Sequence, residues 1–236
     1  MLVAACGALV ILSAQNAANQ VQIAGAGGIE RIIMAMDRHK THNGVHVQAC
    51  GALRNLAATA DNQGKIAAAG GIERIITAME IHKSESEVLV QACRALVNLA
   101  AHNTDNQVQI AAAGGIERII AAMDHFKTLS AVLEYGCGAL GNLAFNADNQ
   151  VKIADAGGIA VILTAMCGHK QNCGLQVKAC RALRNFADNM ADNQIKIAAA
   201  GGIEQIITAM TLHKNHPGLQ EQACAALVNL ALNAEN

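Results

Sequence analysis

The sequence repeats itself every 43 or 44 residues, and this period restricts the chain to folds built from stacked copies of one unit. The tripeptide Gly-Gly-Ile begins at Gly27, Gly70, Gly114, Gly157 and Gly201. Three sequence blocks recur in a fixed order: DNQ-x-x-IA-x-A, then GGIERII-x-AM-x-x-HK, then QAC-x-AL-x-NLA. The first Gly always lies 28 residues before the Asn of the third block, so the variation in length falls in a loop after that block.

Each block predicts one helix. The first helix is short and ends at the Gly pair, because glycine adopts the left-handed geometry that stops a helix and turns the chain. In the second block, Ile72, Ile75, Ile76 and Met79 follow the i, i+3, i+4, i+7 spacing of one helical face. The third block places its Ala, Cys and Leu residues on one face in the same way.

Composition narrows the classes of function. The chain is 53% hydrophobic but only 2% aromatic, which suits close-packed helices better than a β-sandwich or an α/β enzyme. Its net charge of −1 gives no field that favours nucleic acid or an anionic membrane, and we expect neither as a partner. Six of the eight cysteines recur at one repeat position, which indicates small buried side chains in a reducing compartment, the cytoplasm or nucleus.

We predict a single solenoid domain over residues 1–236. Residues 1–14 are a partial repeat, a third helix alone, because they align with the segment at 48–57 and lack the basic start of a signal peptide. Full repeats are predicted at about 16–58, 60–101, 104–145, 147–188 and 191–233. The even repeats without polar caps suggest a piece of a longer array or a consensus-like engineered sequence.

A short helix that bends sharply into two longer helices, with a period of about 43 residues, resembles the armadillo repeat family. The resemblance covers the whole chain, whereas tetratricopeptide and ankyrin periods are about ten residues shorter. It implies an all-α fold, a right-handed α-α superhelix with three helices per repeat. It also implies that the third helices line a concave groove that holds an extended protein or peptide.

An asparagine recurs on the third-helix face that lies opposite the predicted core. The five positions are Asn55, Asn98, Asn142, Asn185 and Asn229. The amide could brace the loop that follows by bonding neighbouring backbone, or it could offer a donor and an acceptor to an extended chain. The sequence alone does not separate these explanations, and the family resemblance implies that this Asn binds peptide main chain.

Basic side chains lie on or beside the same face, at Arg54, Arg94, Lys178, Arg181 and Arg184. They are either ordinary solvated charges or part of a groove that favours acidic partners, through forked hydrogen bonds to carboxylate or phosphate. Glu134, Asp188 and Glu221 show that the groove is not uniformly basic. The tryptophans of importin-like armadillo repeats are missing four residues before each Asn, which argues against recognition of nuclear localisation signals.

We expect no catalysis, no cofactor and no bound metal. The histidines His39, His82, His169 and His213 share one position at the end of the second helix, where helix capping explains them. Cys167 and Cys173 have a C-x5-C spacing that matches no common zinc pattern. The Gly pairs lack the Lys and Ser/Thr of a phosphate-binding loop.

The leading functional hypothesis is therefore a protein- or peptide-binding module that uses the Asn and basic residues above. The alternative is a structural scaffold, or a solenoid that self-associates end to end through uncapped apolar surface. That surface comprises Leu2, Val3, Leu9, Val10, Ile11 and Leu12.

Overall fold

The structure, a computed structural model, describes residues 2–233, which form α-helices and no β-strand. The chain divides into two compact units, Met1–Arg118 and Ile119–Asn236. The first unit contains α1 Leu2–Ser13, α2 Ala17–Gly25, α3 Gly28–Arg38, α4 Asn43–Leu56, α5 Ala60–Ala68, α6 Gly71–Ile81, α7 Ser86–Ala100 and α8 Thr104–Ala112. Helix α9, Gly115–His125, crosses the boundary. The second unit contains α10 Ser130–Leu143, α11 Ala147–Asp155, α12 Gly158–Gly168, α13 Cys173–Ala187, α14 Ala191–Ala199, α15 Gly202–Leu212 and α16 Pro217–Ala231.

The three blocks of the sequence are three helices, as predicted. The first helix of each full repeat has 9 residues and the second has 11. The third has 14 or 15 residues. The prediction of an all-α solenoid with three helices per repeat is confirmed.

The Gly pair makes the sharp bend between the first and second helices. Gly70 has a φ of 78°, in the left-handed region, and caps the N-terminus of α6. A Cβ atom on Gly71 would lie 2.9 Å from the carbonyl oxygen of Ile66, so a side chain there would displace the end of α5. Both glycines are needed, the first for its conformation and the second for its small size.

The loop after the third block varies in length by one residue, and each of the longer loops contains a residue with left-handed geometry. These loops follow α1, α7 and α13, and the residues are Gln15, His102 and Asn189, with φ between 53° and 56°. The additional residue is therefore absorbed by one unusual backbone conformation.

Third helices pack side by side within each unit. Helix α4 contacts α1 and α7 in the first unit, and α13 contacts α10 and α16 in the second. The interior of a repeat is aliphatic, as shown by Ile72, Met79, Leu96 and Leu99, which are all buried. The apolar faces of the second and third helices are therefore buried, as predicted.

The cysteines at the repeat position are mostly core residues. Cys6, Cys50, Cys93, Cys137 and Cys180 are buried, whereas Cys224 is exposed on the last helix. Burial raises the pKa of the Cys50, Cys93 and Cys180 thiols to about 12, so these thiols are uncharged and poorly reactive.

No single helix within residues 2–233 is both long enough and apolar enough to cross a bilayer. Two pairs reach that length and composition only in combination, α11 with α12 and α14 with α15, and each pair is bent by 70°.

Candidate functional site

In the first unit, the recurring asparagine joins neighbouring third helices. Asn98 on α7 donates through Nδ2 to the carbonyl oxygen of Arg54 on α4, at 2.8 Å. The amide of Ala58 would continue the helical pattern to Arg54, but it bonds the Asn55 carbonyl instead. Asn98 therefore supplies the hydrogen bond that the end of α4 leaves open. Asn55 makes the equivalent bond to the Val10 carbonyl of α1, at 2.9 Å.

The second unit repeats this arrangement. Asn185 on α13 donates to the Gly141 carbonyl of α10 at 2.7 Å, and Asn229 on α16 donates to the Arg184 carbonyl of α13 at 3.0 Å. In α10 the amide of Phe145 bonds the Asn142 carbonyl, which leaves Gly141 to be bonded by Asn185. We refer to Asn55, Asn98, Asn142, Asn185 and Asn229 as the third-helix asparagines.

The bracing bond differs from the one considered from the sequence, because it reaches the preceding third helix and not the loop that follows. It also fixes how each amide is turned. With Nδ2 anchored, the Oδ1 atoms of Asn98, Asn185 and Asn229 accept no hydrogen bond from residues 2–233. Asn98 and Asn229 are partly exposed, while Asn185 is only 5% exposed.

The basic residues of the first unit lie beside these amides. Arg54 donates through Nε and Nη2 to Oδ1 of Asn55, at 3.0 and 2.8 Å, and through Nη1 to Oε1 of Gln91 on α7, at 2.9 Å. Arg94 lies on α7 one turn before Asn98 and is partly exposed. The structure thus brings the predicted basic residues and asparagines of this unit to one face of α4 and α7.

Three cations follow one another along α13 in the second unit. Arg181 donates through Nη2 to Oδ1 of Asn142, at 2.8 Å, and Arg184 donates through Nη1 to Oε1 of Gln222, at 3.2 Å. Lys178 lies one turn earlier and is partly buried. Burial lowers the pKa of Lys178, and the charge of Arg181 adds to this effect while Glu134 opposes it. Burial also lowers the pKa of Arg181, with a further contribution from Arg184.

Three of the four recurring histidines, those at 82, 169 and 213, bond the preceding repeat. Nε2 of His82 lies 3.1 Å from the Lys40 carbonyl, and the corresponding distances are 2.8 Å from His169 to Lys127 and from His213 to Lys170. These side chains therefore cap a neighbouring segment rather than their own helix. Within residues 2–233, no group of three or more His, Cys, Asp or Glu side chains could hold a metal ion.

His46 is a buried histidine without a hydrogen-bond partner among residues 2–233. Its ring lies 4.7 Å from that of His82, centroid to centroid. Burial lowers the pKa of His46 and the charge of His82 adds to this, while the His39 and Met36 carbonyls oppose it. The last two repeats have glutamine at this position, and Gln176 bonds the Met166 and His169 carbonyls at 3.0 and 3.1 Å.

A second set of amides has a structural role that we did not infer from the sequence. The Asn and Gln of the DNQ block are buried, and they bond the carbonyls that end the preceding third helix. Asn106 and Gln107 bond the Leu99 and Ala100 carbonyls at 2.9 and 3.0 Å. In the second unit, Gln150 bonds carbonyls of both α10 and α13. The available signal was the repeated polar pair inside an otherwise apolar helix face.

Comparison with known proteins gives the fold. No protein-family profile matches the sequence, and no curated protein matches it. Among solved structures, one similar chain is an engineered protein, 28% identical with a TM-score of 0.86, and the match covers 98% of this chain and 90% of that one. A designed armadillo repeat protein is 20% identical with a TM-score of 0.85, over 97% of this chain and 92% of its own. Another, solved in complex with the peptide (KR)4, is 19% identical with a TM-score of 0.82, over 96% of this chain and 92% of its own.

Proposed function

We propose that this chain, which has the armadillo repeat fold, is a binding module that holds an extended segment of a protein or peptide against its third helices. The observation that carries the proposal is the recurrence of the third-helix asparagines in each unit. Each anchored amide of Asn98, Asn185 and Asn229 presents an unengaged oxygen, which can accept a hydrogen bond from the backbone N–H of a partner.

The similar structures support a binding role, since one of them is a designed armadillo repeat protein in complex with a peptide. The free energy available is modest, because each amide contact contributes about 1 kcal/mol net and ordering a flexible peptide opposes binding. Side-chain contacts must therefore supply most of the affinity. We propose no catalytic activity and no cofactor. The free, mostly buried thiols suit a reducing compartment, which we propose to be the cytoplasm or nucleus.

The test is to screen an array of extended peptides of varied composition and to map the best binder by NMR on protein labelled with ¹⁵N at asparagine. The side-chain NH₂ signals of Asn98, Asn185 and Asn229 should shift on titration. The buried amides of Asn106 and Asn193 provide an internal control, because both bond carbonyls inside the fold. Their signals should stay in place.

Two results would contradict the proposal. One is that no peptide on the array binds with a dissociation constant below about 1 mM, a free energy near −4 kcal/mol. The other is that the best binder saturates the protein while the side-chain signals of the third-helix asparagines stay in place.

A scaffold that self-associates is the second candidate, and exposed apolar side chains favour it. Ile11 is 78% exposed on α1, and Val228 and Leu232 are 62% and 68% exposed at and after the end of α16. Leu12 is 53% exposed, and Val3, Leu9 and Val10 are partly exposed. The side chain of Leu2 lies outside the described residues. Sedimentation that shows a concentration-dependent increase in mass, reversed by Val228→Glu, would support this candidate. The close likeness to engineered proteins also fits a consensus-like sequence.

A further inference from the structure

The second unit carries a cluster of positive charge that forms no ion pair with a carboxylate of residues 2–233. We define the α13 cluster as Lys178, Arg181 and Arg184, which lie at i, i+3 and i+6 on one face of the helix. Ion pairs formed elsewhere, such as Lys196 with Asp155 on α11, include none of these three residues. The positive charges of the cluster are therefore close to one another and are not neutralised by an ion pair within residues 2–233.

A single carboxylate acts on the cluster, and it lies at one end. The side chain of Glu134 on α10 contacts the first turn of α13, since a Cβ atom on Gly174 would lie 2.9 Å from its Oε2 atom. Its charge favours the protonated form of Lys178, one turn further along. Arg181 and Arg184 lie beyond Lys178 in the direction of the helix C-terminus, so most of the uncompensated charge is on these two guanidinium groups.

The two guanidinium groups are held in place before any ligand binds. Each donates one N–H to a neutral amide oxygen, Arg181 to Asn142 and Arg184 to Gln222. A guanidinium has five N–H donors in a fixed fork, so one such bond restricts its orientation and leaves other donors for an anion. Side chains ordered in advance lose less conformational entropy on binding.

We propose that Arg181 and Arg184 form a subsite for the carboxylate of an aspartate or glutamate side chain in an extended acidic peptide. This inference rests on the proposed function and specifies the ligand of one part of the same surface. Lys178 contributes less, because Glu134 already offsets its charge.

The surroundings favour a peptide over nucleic acid. Glu221 on α16 is exposed and directly precedes Gln222, the partner of Arg184. Asp188, also exposed, lies four residues after Arg184, and Glu134 lies against the first turn of α13. A continuous phosphate backbone would meet these three carboxylates, whereas a peptide can place one acidic side chain on the arginines and other residues elsewhere. The exposed carboxylate of Glu221 on the α16 side also allows a basic residue elsewhere in the same peptide.

The experiment uses the full chain and four fluorescent probes of about ten residues, a length suited to an extended segment. They are an alternating Glu-Ser peptide, its Gln-Ser and Lys-Ser counterparts, and a single-stranded oligothymidylate. Fluorescence anisotropy should show that the Glu-Ser peptide binds best, and that its affinity falls when salt is raised from about 50 to about 200 mM.

Substitutions then locate the subsite. Arg181→Gln and Arg184→Gln should each weaken Glu-Ser binding by about five- to tenfold, and Lys178→Gln by about twofold. Lys196→Gln removes the same charge from the exposed pair with Asp155 and should change the affinity by less than about 1.5-fold, which is well below the effect of losing one hydrogen bond. Glu134→Gln should strengthen binding by about twofold, because it removes the carboxylate that offsets the cluster. A gain in affinity cannot arise from partial unfolding.

Five outcomes would overturn the inference. Equal binding of the Glu-Ser and Gln-Ser peptides would show that the carboxylate is not recognised. An equal loss with Lys196→Gln and Arg181→Gln would show an effect of net charge alone. Tighter binding of the oligothymidylate would assign the cluster to nucleic acid. Preference for the Gln-Ser or Lys-Ser peptide would refute the acidic subsite but leave the proposed function standing, whereas failure of every peptide would refute both.

Discussion

Replacing Asn185 with alanine should destabilise the second unit, because within residues 2–233 its side chain is the only donor from another helix to the Gly141 carbonyl. The bond is 2.7 Å long, and Asn185 is 5% exposed, so little water can replace it. A buried acceptor left without a partner costs about 2 kcal/mol. Alanine recovers about 0.6 kcal/mol through its higher helix propensity. The expected net loss in the free energy of unfolding is about 1.4 kcal/mol.

Guanidinium-induced unfolding, followed by far-UV circular dichroism, measures this loss. The matched control is Thr211→Ala on α15, an exposed helical position where the hydroxyl bonds only its own helix. That variant should be as stable as the parent or slightly more stable, since alanine is the better helix former. If Asn185→Ala were also as stable as the parent, the bond between α13 and α10 would not contribute to stability, and the bracing role of the third-helix asparagines would be wrong.

Three further predictions concern individual positions. Burial lowers the pKa of His46 from its ordinary value of 6.5, so its contribution to stability is complete above pH 6.5 and is lost as the pH falls through the lowered pKa. The last two repeats have glutamine at this position, and in the variant His46→Gln the free energy of unfolding should decrease less between about pH 7 and about pH 5 than in the parent. Identical pH profiles of the parent and the variant would contradict this. Gly71→Ala should lower the free energy of unfolding by about 2 kcal/mol, because the new Cβ would meet a backbone carbonyl, while Gly64→Ala on α5, with open space around it, should raise it by about 1 kcal/mol. Thermal denaturation that ranks the two variants otherwise would refute the packing argument. His102→Gly should stabilise the chain by about 0.5 kcal/mol because its φ is 55°, and a loss of stability in urea denaturation would show that this loop has a different conformation.

The fold could be predicted from the sequence because its determinants are local and repeated. The Gly pair, the apolar spacing of the second helix and the length difference after the third block all act within a few residues. Gly70 and His102 show the result, with left-handed geometry at the predicted bend and inside a predicted longer loop.

The partners of polar side chains were harder to predict. Helical spacing shows which face of α7 carries Asn98, but the Arg54 carbonyl lies 44 residues earlier and reaches it only through the packing of third helices. The same limit applies to His82 and the Lys40 carbonyl. The sequence therefore identified the asparagines and arginines as a group on one face, whereas their bonds to one another could be read only from the structure.

The bonds between repeats have a consequence for how the chain reaches its folded state. Those described within a unit join neighbouring repeats, as in the step of 44 residues from Asn185 to Gly141 and of 42 from His82 to Lys40. Two adjacent repeats therefore contain everything needed to satisfy one set of these contacts, and no distant part of the chain has to be found first. During synthesis, a repeat can pack against the preceding one as soon as it leaves the ribosome. Its apolar surface is then buried early, which reduces aggregation.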